Sequence, residues 1–146
     1  MQARPDLVKD IYLIRHGETE YNRKGVVQGS GIDADWNDLG QKQADAFFAH
    51  YKDLPIDKIY TSALKRTHQS VKGFIDKGLP WEQHEGLNEI SWGSKEGKSP
   101  NTEDDLYYKN LTKTWREGHV HVRSDEGESP VEVLERQKPV VDLILS

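Results

Sequence analysis

Two arginines and one histidine have the types and positions to do chemistry together. Arg15 and His16 come directly after the apolar run Ile11–Ile14. Arg66 follows a weaker apolar segment, Ile56–Tyr60, and lies just inside the next predicted helix. Guanidinium groups present forked donors that suit the oxygens of a phosphate, and a neutral imidazole between them can attack phosphorus. The pattern points to chemistry on a phosphate group.

The same residues allow a second interpretation. His16 can be a structural histidine at the end of a strand, with Arg15 and Arg66 extending into solvent. The tripeptide Arg-His-Gly does not by itself distinguish these interpretations, so the elements around it matter.

Two predicted strands would bring the three side chains together. The continuous apolar run Ile11–Ile14 predicts a short strand buried on both faces, and Ile56–Tyr60 predicts a second strand. In an open α/β sheet the carboxyl ends of parallel strands meet at one edge, where ligands bind. We therefore expect Arg15, His16 and Arg66 to lie near one point.

Helical patterns alternate with the strands. Four helices are predicted, beginning near Asn37, Ser62, Thr102 and Ser129. The last begins with a capping box, and Pro139 is expected to interrupt it. A further short strand is predicted at Trp81–His84. The alternation predicts an α/β fold around a mostly parallel sheet.

Composition limits the class of protein and its partners. The 146 residues correspond to one domain, 1–146. The net charge of −5 argues against a nucleic-acid partner, so an anionic substrate would be held by local arginines. The absence of cysteine excludes disulfides, thiolate metal sites and a cysteine nucleophile. With no membrane-spanning stretch and no signal-peptide pattern, we expect a cytoplasmic protein without a membrane partner.

Two features lead us to expect that a C-terminal part of the domain is missing. Only two strands are convincing, where sheets usually have about 4–6. The segment Val140–Ser146 also ends in a helical pattern with no closing glycine.

The segment Ile14–Thr19 resembles the R-H-G-[E/N]-[T/S] signature of the histidine phosphatase superfamily, the phosphoglycerate-mutase-like proteins. Further segments resemble that family in order and spacing from Asp10 onward: Gln28-Gly29, Leu39–Ala44, Thr61–Ser70, Leu87–Gly97 and Gly127–Ser129. The resemblance implies a three-layer α/β/α fold with a mostly parallel central sheet.

The resemblance also implies roles for individual residues. His16 would be the nucleophile that accepts the phosphoryl group, clamped by Arg15 and Arg66. Glu89 would protonate the leaving oxygen and then deprotonate the water that resolves the intermediate. Contacts to the substrate would come from Asn22, Gln28 and Gly29. The resemblance implies no metal and no other cofactor.

The chain departs from the family pattern in one respect. Members of this family use a second histidine on a strand after the helix that Ser129 begins here, and the sequence stops before such a strand. His119 and His121 precede that helix and cannot be its equivalent.

Hydrolysis of a small phosphorylated metabolite is the leading functional prediction, because Ser91–Gly97 is more similar to the phosphatase branch than to the mutases. A phosphoglycerate-mutase-type phosphotransferase and a non-catalytic phosphate-ester binding protein stay open as alternatives. A nucleotide-binding loop at Gly93–Ser99 has three residues between its glycines where the motif needs four. The sequence carries no signal for an oligomeric state.

Overall fold

Six α-helices, two β-strands and two 3₁₀ turns make up the computed structural model, which describes residues 8–99 and 101–146. The helices are α1 (Glu20–Arg23), α2 (Asp38–Tyr51), α3 (Lys65–Ser70), α4 (Lys72–Asp76), α5 (Thr102–Arg116) and α6 (Pro130–Leu145). The strands are β1 (Ile59–Thr61) and β2 (Trp81–Gln83), and the 3₁₀ turns are Glu85–Leu87 and Gly93–Lys95.

The two strands form a parallel sheet, as the fold class predicts. Ile59 pairs with Trp81 and Thr61 with Gln83, and helices α3 and α4 form the crossover between the strands. The hydrophobic core lies between this strand–helix–strand unit and α2. Phe74 of α4 is 2% exposed and meets the ring of Phe48 edge to face, with 5.1 Å between centroids. The layer of helices against a parallel sheet defines an α/β fold.

Local signals predicted the helix starts near Asn37, Thr102 and Ser129, whereas the start predicted at Ser62 is wrong because α3 begins at Lys65. The side chain of Asn37 accepts a hydrogen bond from the backbone N–H of Gly40 at the start of α2. Ser129 and Glu132 form the expected capping box of α6. No helix in the described ranges is long and apolar enough to cross a membrane.

Two predictions about helix continuity are wrong. The helix expected from Ser62 onward is divided into α3 and α4 at Val71, whose backbone leaves the helical region (φ −116°, ψ 17°). In contrast, α6 continues through Pro139. Pro139 lies on the exposed side of α6, where solvent can replace the lost backbone hydrogen bond.

The prediction of a buried strand at Ile11–Ile14 is also wrong. This segment has no strand assignment, its apolar side chains are exposed, and Leu13 is 95% exposed. A strand needs a hydrogen-bonded neighbour, and within residues 8–99 and 101–146 no strand pairs with this segment. The second predicted strand is shorter than expected, because only Ile59–Thr61 pairs with β2.

Candidate active site

A backbone anchor, and not a strand end, places His16. The backbone N–H of Gly17 donates to the hydroxyl of Ser70 over 2.7 Å, and that hydroxyl donates to the carbonyl of Arg66 over 2.6 Å. Gly17 also packs closely on the start of α2, since a Cβ on Gly17 would lie 2.7 Å from the carbonyl oxygen of Gly40. The loop that carries His16 is therefore fixed against the helix that carries Arg66.

The imidazole of His16 is held in one neutral tautomer. Its Nδ1 lies 2.7 Å from the carbonyl oxygen of Gly17, which can only accept a hydrogen bond, so Nδ1 carries the proton. Burial lowers the pKa of His16, and the positive charges of Arg66 and Arg15 lower it further, against the opposing effects of Gly17 and Glu89. Near neutral pH the ring is uncharged and Nε2 has a free lone pair.

The Arg66 guanidinium lies at the centre of the candidate site and is fully buried. Its Nη1 donates to the carbonyl of Ile32 over 2.6 Å, and its Nη2 donates to the carbonyl of Gly29 over 3.2 Å. The Nε of Arg66 has no acceptor among the residues that the structure describes. A buried cation with a free N–H is suited to receive a further anionic oxygen.

Glu89 contacts both of these groups. One carboxylate oxygen, Oε2, lies 3.9 Å from Nε2 of His16 and 3.2 Å from Nη2 of Arg66. The Glu89 side chain is 43% exposed, whereas that of His16 is 11% exposed. The carboxylate is therefore more accessible to solvent than the imidazole beside it, and it can exchange protons with water.

The predicted substrate-contacting residues lie on α1 and on the loop that follows it. Gln28 is buried, and its Oε1 accepts from the hydroxyl of Thr19 over 3.0 Å. Its Nε2 has no partner in the part of the chain that the structure describes. The carbonyl of Gly29 accepts from Arg66, and the side chain of Asn22 is engaged with Thr19 in the capping box of α1. Gln28 thus offers a second buried donor, next in sequence to the glycine whose carbonyl binds Arg66.

Arg15 has an exposed side chain. No ion pair or hydrogen bond of its guanidinium occurs within the described ranges, yet its charge is close enough to lower the pKa of His16. This guanidinium is available to an anion that approaches from solvent.

Two buried hydroxyl residues were not assigned roles from the sequence. Thr19 and Ser70 belong to the recognised motifs, but their function is to hold the loops, through the contacts with Gln28 and Gly17 described above. A small polar residue at a buried position has no periodic signature, so only the motif could have indicated them. The described residues contain no group of three or more side chains that could hold a metal ion.

Comparison with known proteins agrees with this arrangement. The model of the histidine phosphatase superfamily (branch 1) matches residues 11–146. The chain belongs to this superfamily.

The chain is also similar in sequence to individual proteins. The chain is 34% identical over 93 residues to the fructose-2,6-bisphosphatase TIGAR of Bos taurus, covering 60% of this chain and 34% of that protein. It is 32% identical over 142 residues to a 6-phosphofructo-2-kinase/fructose-2,6-bisphosphatase 3 of Rattus norvegicus. This match covers 91% of this chain and 23% of that protein.

Solved structures share the fold. YhfR of Bacillus stearothermophilus superposes with a TM-score of 0.75 at 26% identity, over 90% of this chain and 64% of that one. A mycobacterial glucosyl-3-phosphoglycerate phosphatase gives a TM-score of 0.73 at 27% identity, over 88% of this chain and 60% of that one. The chain thus spans less than two thirds of the length of these relatives.

Proposed function

We propose that the protein hydrolyses phosphate monoesters through a covalent phosphohistidine at His16. The observation that carries this proposal is the tautomer of His16. Its Nδ1–H donates a hydrogen bond to the carbonyl of Gly17, so that Nε2 is unprotonated and lies 3.9 Å from Glu89. A neutral imidazole with a fixed free nitrogen beside a carboxyl group is the arrangement that nucleophilic attack requires.

In the first step, Nε2 of His16 forms a bond to phosphorus and the bond from phosphorus to the ester oxygen breaks. Glu89, in its protonated form, gives its proton to the departing oxygen, which leaves as an alcohol. The phosphorylated ring keeps its Nδ1 proton and becomes cationic. The carbonyl of Gly17 stabilises this cation through the hydrogen bond that it already accepts.

In the second step, the Glu89 carboxylate takes a proton from a water molecule that attacks phosphorus. The bond from phosphorus to nitrogen breaks, and its electron pair returns to Nε2. The net reaction is ester plus water to alcohol plus inorganic phosphate, and both residues end in their starting states.

Arg66 and Arg15 are proposed to bind the phosphoryl oxygens. Arg66 has a buried free Nε–H, and Gln28 supplies a further free donor, so charge that develops on those oxygens meets fixed donors. Arg15 would supply the second guanidinium from the exposed side, and Asn22 and Gly29 would line the substrate side. With two guanidiniums in this role, the proposed mechanism uses no metal ion.

The substrate class is proposed from the relatives. The names of two of them specify fructose 2,6-bisphosphate and glucosyl-3-phosphoglycerate as substrates. We therefore propose a small phosphorylated sugar metabolite. A water-accessible Glu89 favours hydrolysis over mutase chemistry, which has to keep water from the phosphoenzyme.

The proposal is tested with the protein in its natural length and a panel of sugar phosphates, measuring release of inorganic phosphate. We expect turnover in the presence of a metal chelator and its loss in the His16→Ala variant. Isomerisation of phosphoglycerate without phosphate release would instead identify a mutase. Tight binding of the esters with no turnover at any pH would identify a phosphate-ester binding protein.

A further inference from the structure

We propose that Arg136 and Glu128 form a clamp that positions Glu89 for proton transfer. The inference rests on the proposed function and adds two positioning residues to it. Neither residue belongs to the group proposed above to bind the phosphoryl oxygens, and neither was assigned a catalytic role from the sequence.

Arg136 of α6 donates hydrogen bonds to two backbone carbonyls, one that precedes Glu89 in the sequence and that of Glu89 itself. Its Nη1 donates to the carbonyl of Gly86 over 2.8 Å, and its Nη2 donates to the carbonyl of Glu89 over 3.1 Å. A Cβ on Gly86 would lie 2.4 Å from the carbonyl oxygen of Arg136, so this turn packs directly on the helix. Arg136 thus fixes the main chain from which the Glu89 carboxylate extends.

Glu128 binds the backbone on the C-terminal side. Its Oε1 accepts from the N–H of Ser91 over 2.8 Å, and its own N–H donates to the carbonyl of Ser91 over 2.9 Å. The Gly127 backbone also approaches Ser91 closely, since a Cβ on Gly127 would lie 2.4 Å from the Ser91 carbonyl oxygen. Ser91, two residues after Glu89, is therefore held at both its backbone N–H and its backbone carbonyl.

The two clamp residues hold each other. Arg136 donates from Nε and Nη2 to the two carboxylate oxygens of Glu128 over 2.8 and 3.1 Å, a bidentate pair. Both side chains are only about a quarter exposed, at 24% and 22%. The hydrogen bonds from Arg136 lower the pKa of Glu128, which keeps the pair charged.

The clamp has a direct bearing on Glu89, because that side chain is 43% exposed and has few contacts of its own. Its carboxylate contacts only Arg66 and His16 within the described residues. Its distance of 3.9 Å from Nε2 therefore depends on the ion pair with Arg66 and on the position of the backbone, which Arg136 and Glu128 hold. A small displacement of an acid from its working position is costly for proton transfer.

The test uses leaving groups of different quality on the protein in its natural length. Departure of phenol from phenyl phosphate needs a proton from Glu89, whereas departure from dinitrophenyl phosphate does not. We expect Arg136→Met to lower kcat/KM for phenyl phosphate roughly 10- to 100-fold, and to leave the dinitrophenyl ester within about 3-fold. In a Glu89→Gln background, Arg136→Met should cause no further loss with phenyl phosphate.

The matched control is Arg123→Met, which removes an arginine of an exposed ion pair with Glu132 near the start of α6. It should change neither substrate's kinetics. Equal losses with both esters in Arg136→Met, or losses that add to those of Glu89→Gln, would show a general structural role and overturn the inference. If Arg136→Met does not fold, the isosteric Glu128→Gln is held to the same criteria.

A second readout does not depend on activity. The Ser91 amide donates to the Glu128 carboxylate, so its hydrogen exchange should become at least about 10-fold faster in Glu128→Gln. Unchanged exchange would overturn the clamp even if hydrolysis occurs. Faster exchange in a protein whose wild type hydrolyses neither ester would retain the clamp and reject the proposed function.

Discussion

At the scale of single residues, the most informative feature is the carbonyl of Gly17. A histidine has two ring nitrogens, and which one can attack depends on where the single proton of the neutral ring is held. Here a backbone oxygen 2.7 Å from Nδ1 decides that question. The free Nε2 is therefore a property of the fold near His16.

The pKa of His16 gives a prediction with a definite sign. Burial places this pKa below the ordinary value of about 6.5, so below that pH the unfolded chain binds a proton more readily than the folded one. His16 therefore contributes a free energy of unfolding that rises as the pH increases from the folded pKa to about 6.5, and is constant above it. The acid limb of kcat/KM should have its midpoint below 6.5 for the same reason.

Nitrogen-resolved NMR of the imidazole ring checks this directly, with the His16→Ala variant to assign the signal. We expect a midpoint below the ordinary value and a neutral form protonated on Nδ1. A midpoint above that value, or a neutral ring protonated on Nε2, would contradict the account of the nucleophile.

The sequence alone indicated the ionisable residues that meet at the site. His16, Arg66 and Glu89 were all predicted, and the structure brings their side chains within contact. Ser70 and Arg136 were not given roles, because each acts on backbone groups distant in the sequence. A partial signal existed for Arg136, which lies on α6 between Val133 and Val140 at helical spacing. An arginine on such a stripe indicates a paired, partly buried cation.

At the scale of elements, helices and strands differed in how well they could be predicted. Helix α5 begins at Thr102, as predicted, because periodicity and capping are local signals. The segment Ile11–Ile14 has the composition of a strand but not its pairing. Pairing depends on what lies alongside, and composition carries no information about that.

The link between the His16 loop and α3 can be tested at Ser70. Ser70→Ala leaves the buried N–H of Gly17 without its acceptor and removes the hydroxyl that donates to the Arg66 carbonyl. We expect the free energy of unfolding to fall by about 1–3 kcal/mol and kcat to fall together with it. Denaturant unfolding and steady-state kinetics measure the two effects. Ser99→Ala, at an exposed position, is the control, and equal stability of the two variants would contradict the assigned role.

At the scale of the whole molecule, the accessible surface is large. The chain exposes 10009 Å², where a compact protein of this mass exposes roughly 7,600 Å². The excess includes apolar side chains near the N-terminus and on α6: Ile11, Tyr12, Leu13, Leu134, Leu143 and Leu145. Exposed apolar surface of this kind promotes association.

The 146-residue chain should therefore self-associate, and removing one large exposed side chain should weaken this. We expect Leu13→Ser to shift the sedimentation-velocity distribution towards monomer at equal concentration. Lys9→Ser, a neighbouring exposed position without an apolar side chain, should not shift it. A wild-type chain that stays monomeric up to high micromolar concentration would contradict the prediction.

The central claim is that Nε2 of His16 carries the phosphoryl group during turnover. The most direct measurement is to mix the protein in its natural length with dinitrophenyl phosphate and quench with alkaline denaturant. The phosphoryl group transferred to the protein is then located by peptide mass spectrometry and phosphorus NMR. We predict an acid-labile phosphate on Nε2 of His16 that is absent from His16→Ala. Phosphate on Nδ1 or on another residue, or steady turnover with no trapped phosphoenzyme, would contradict the account.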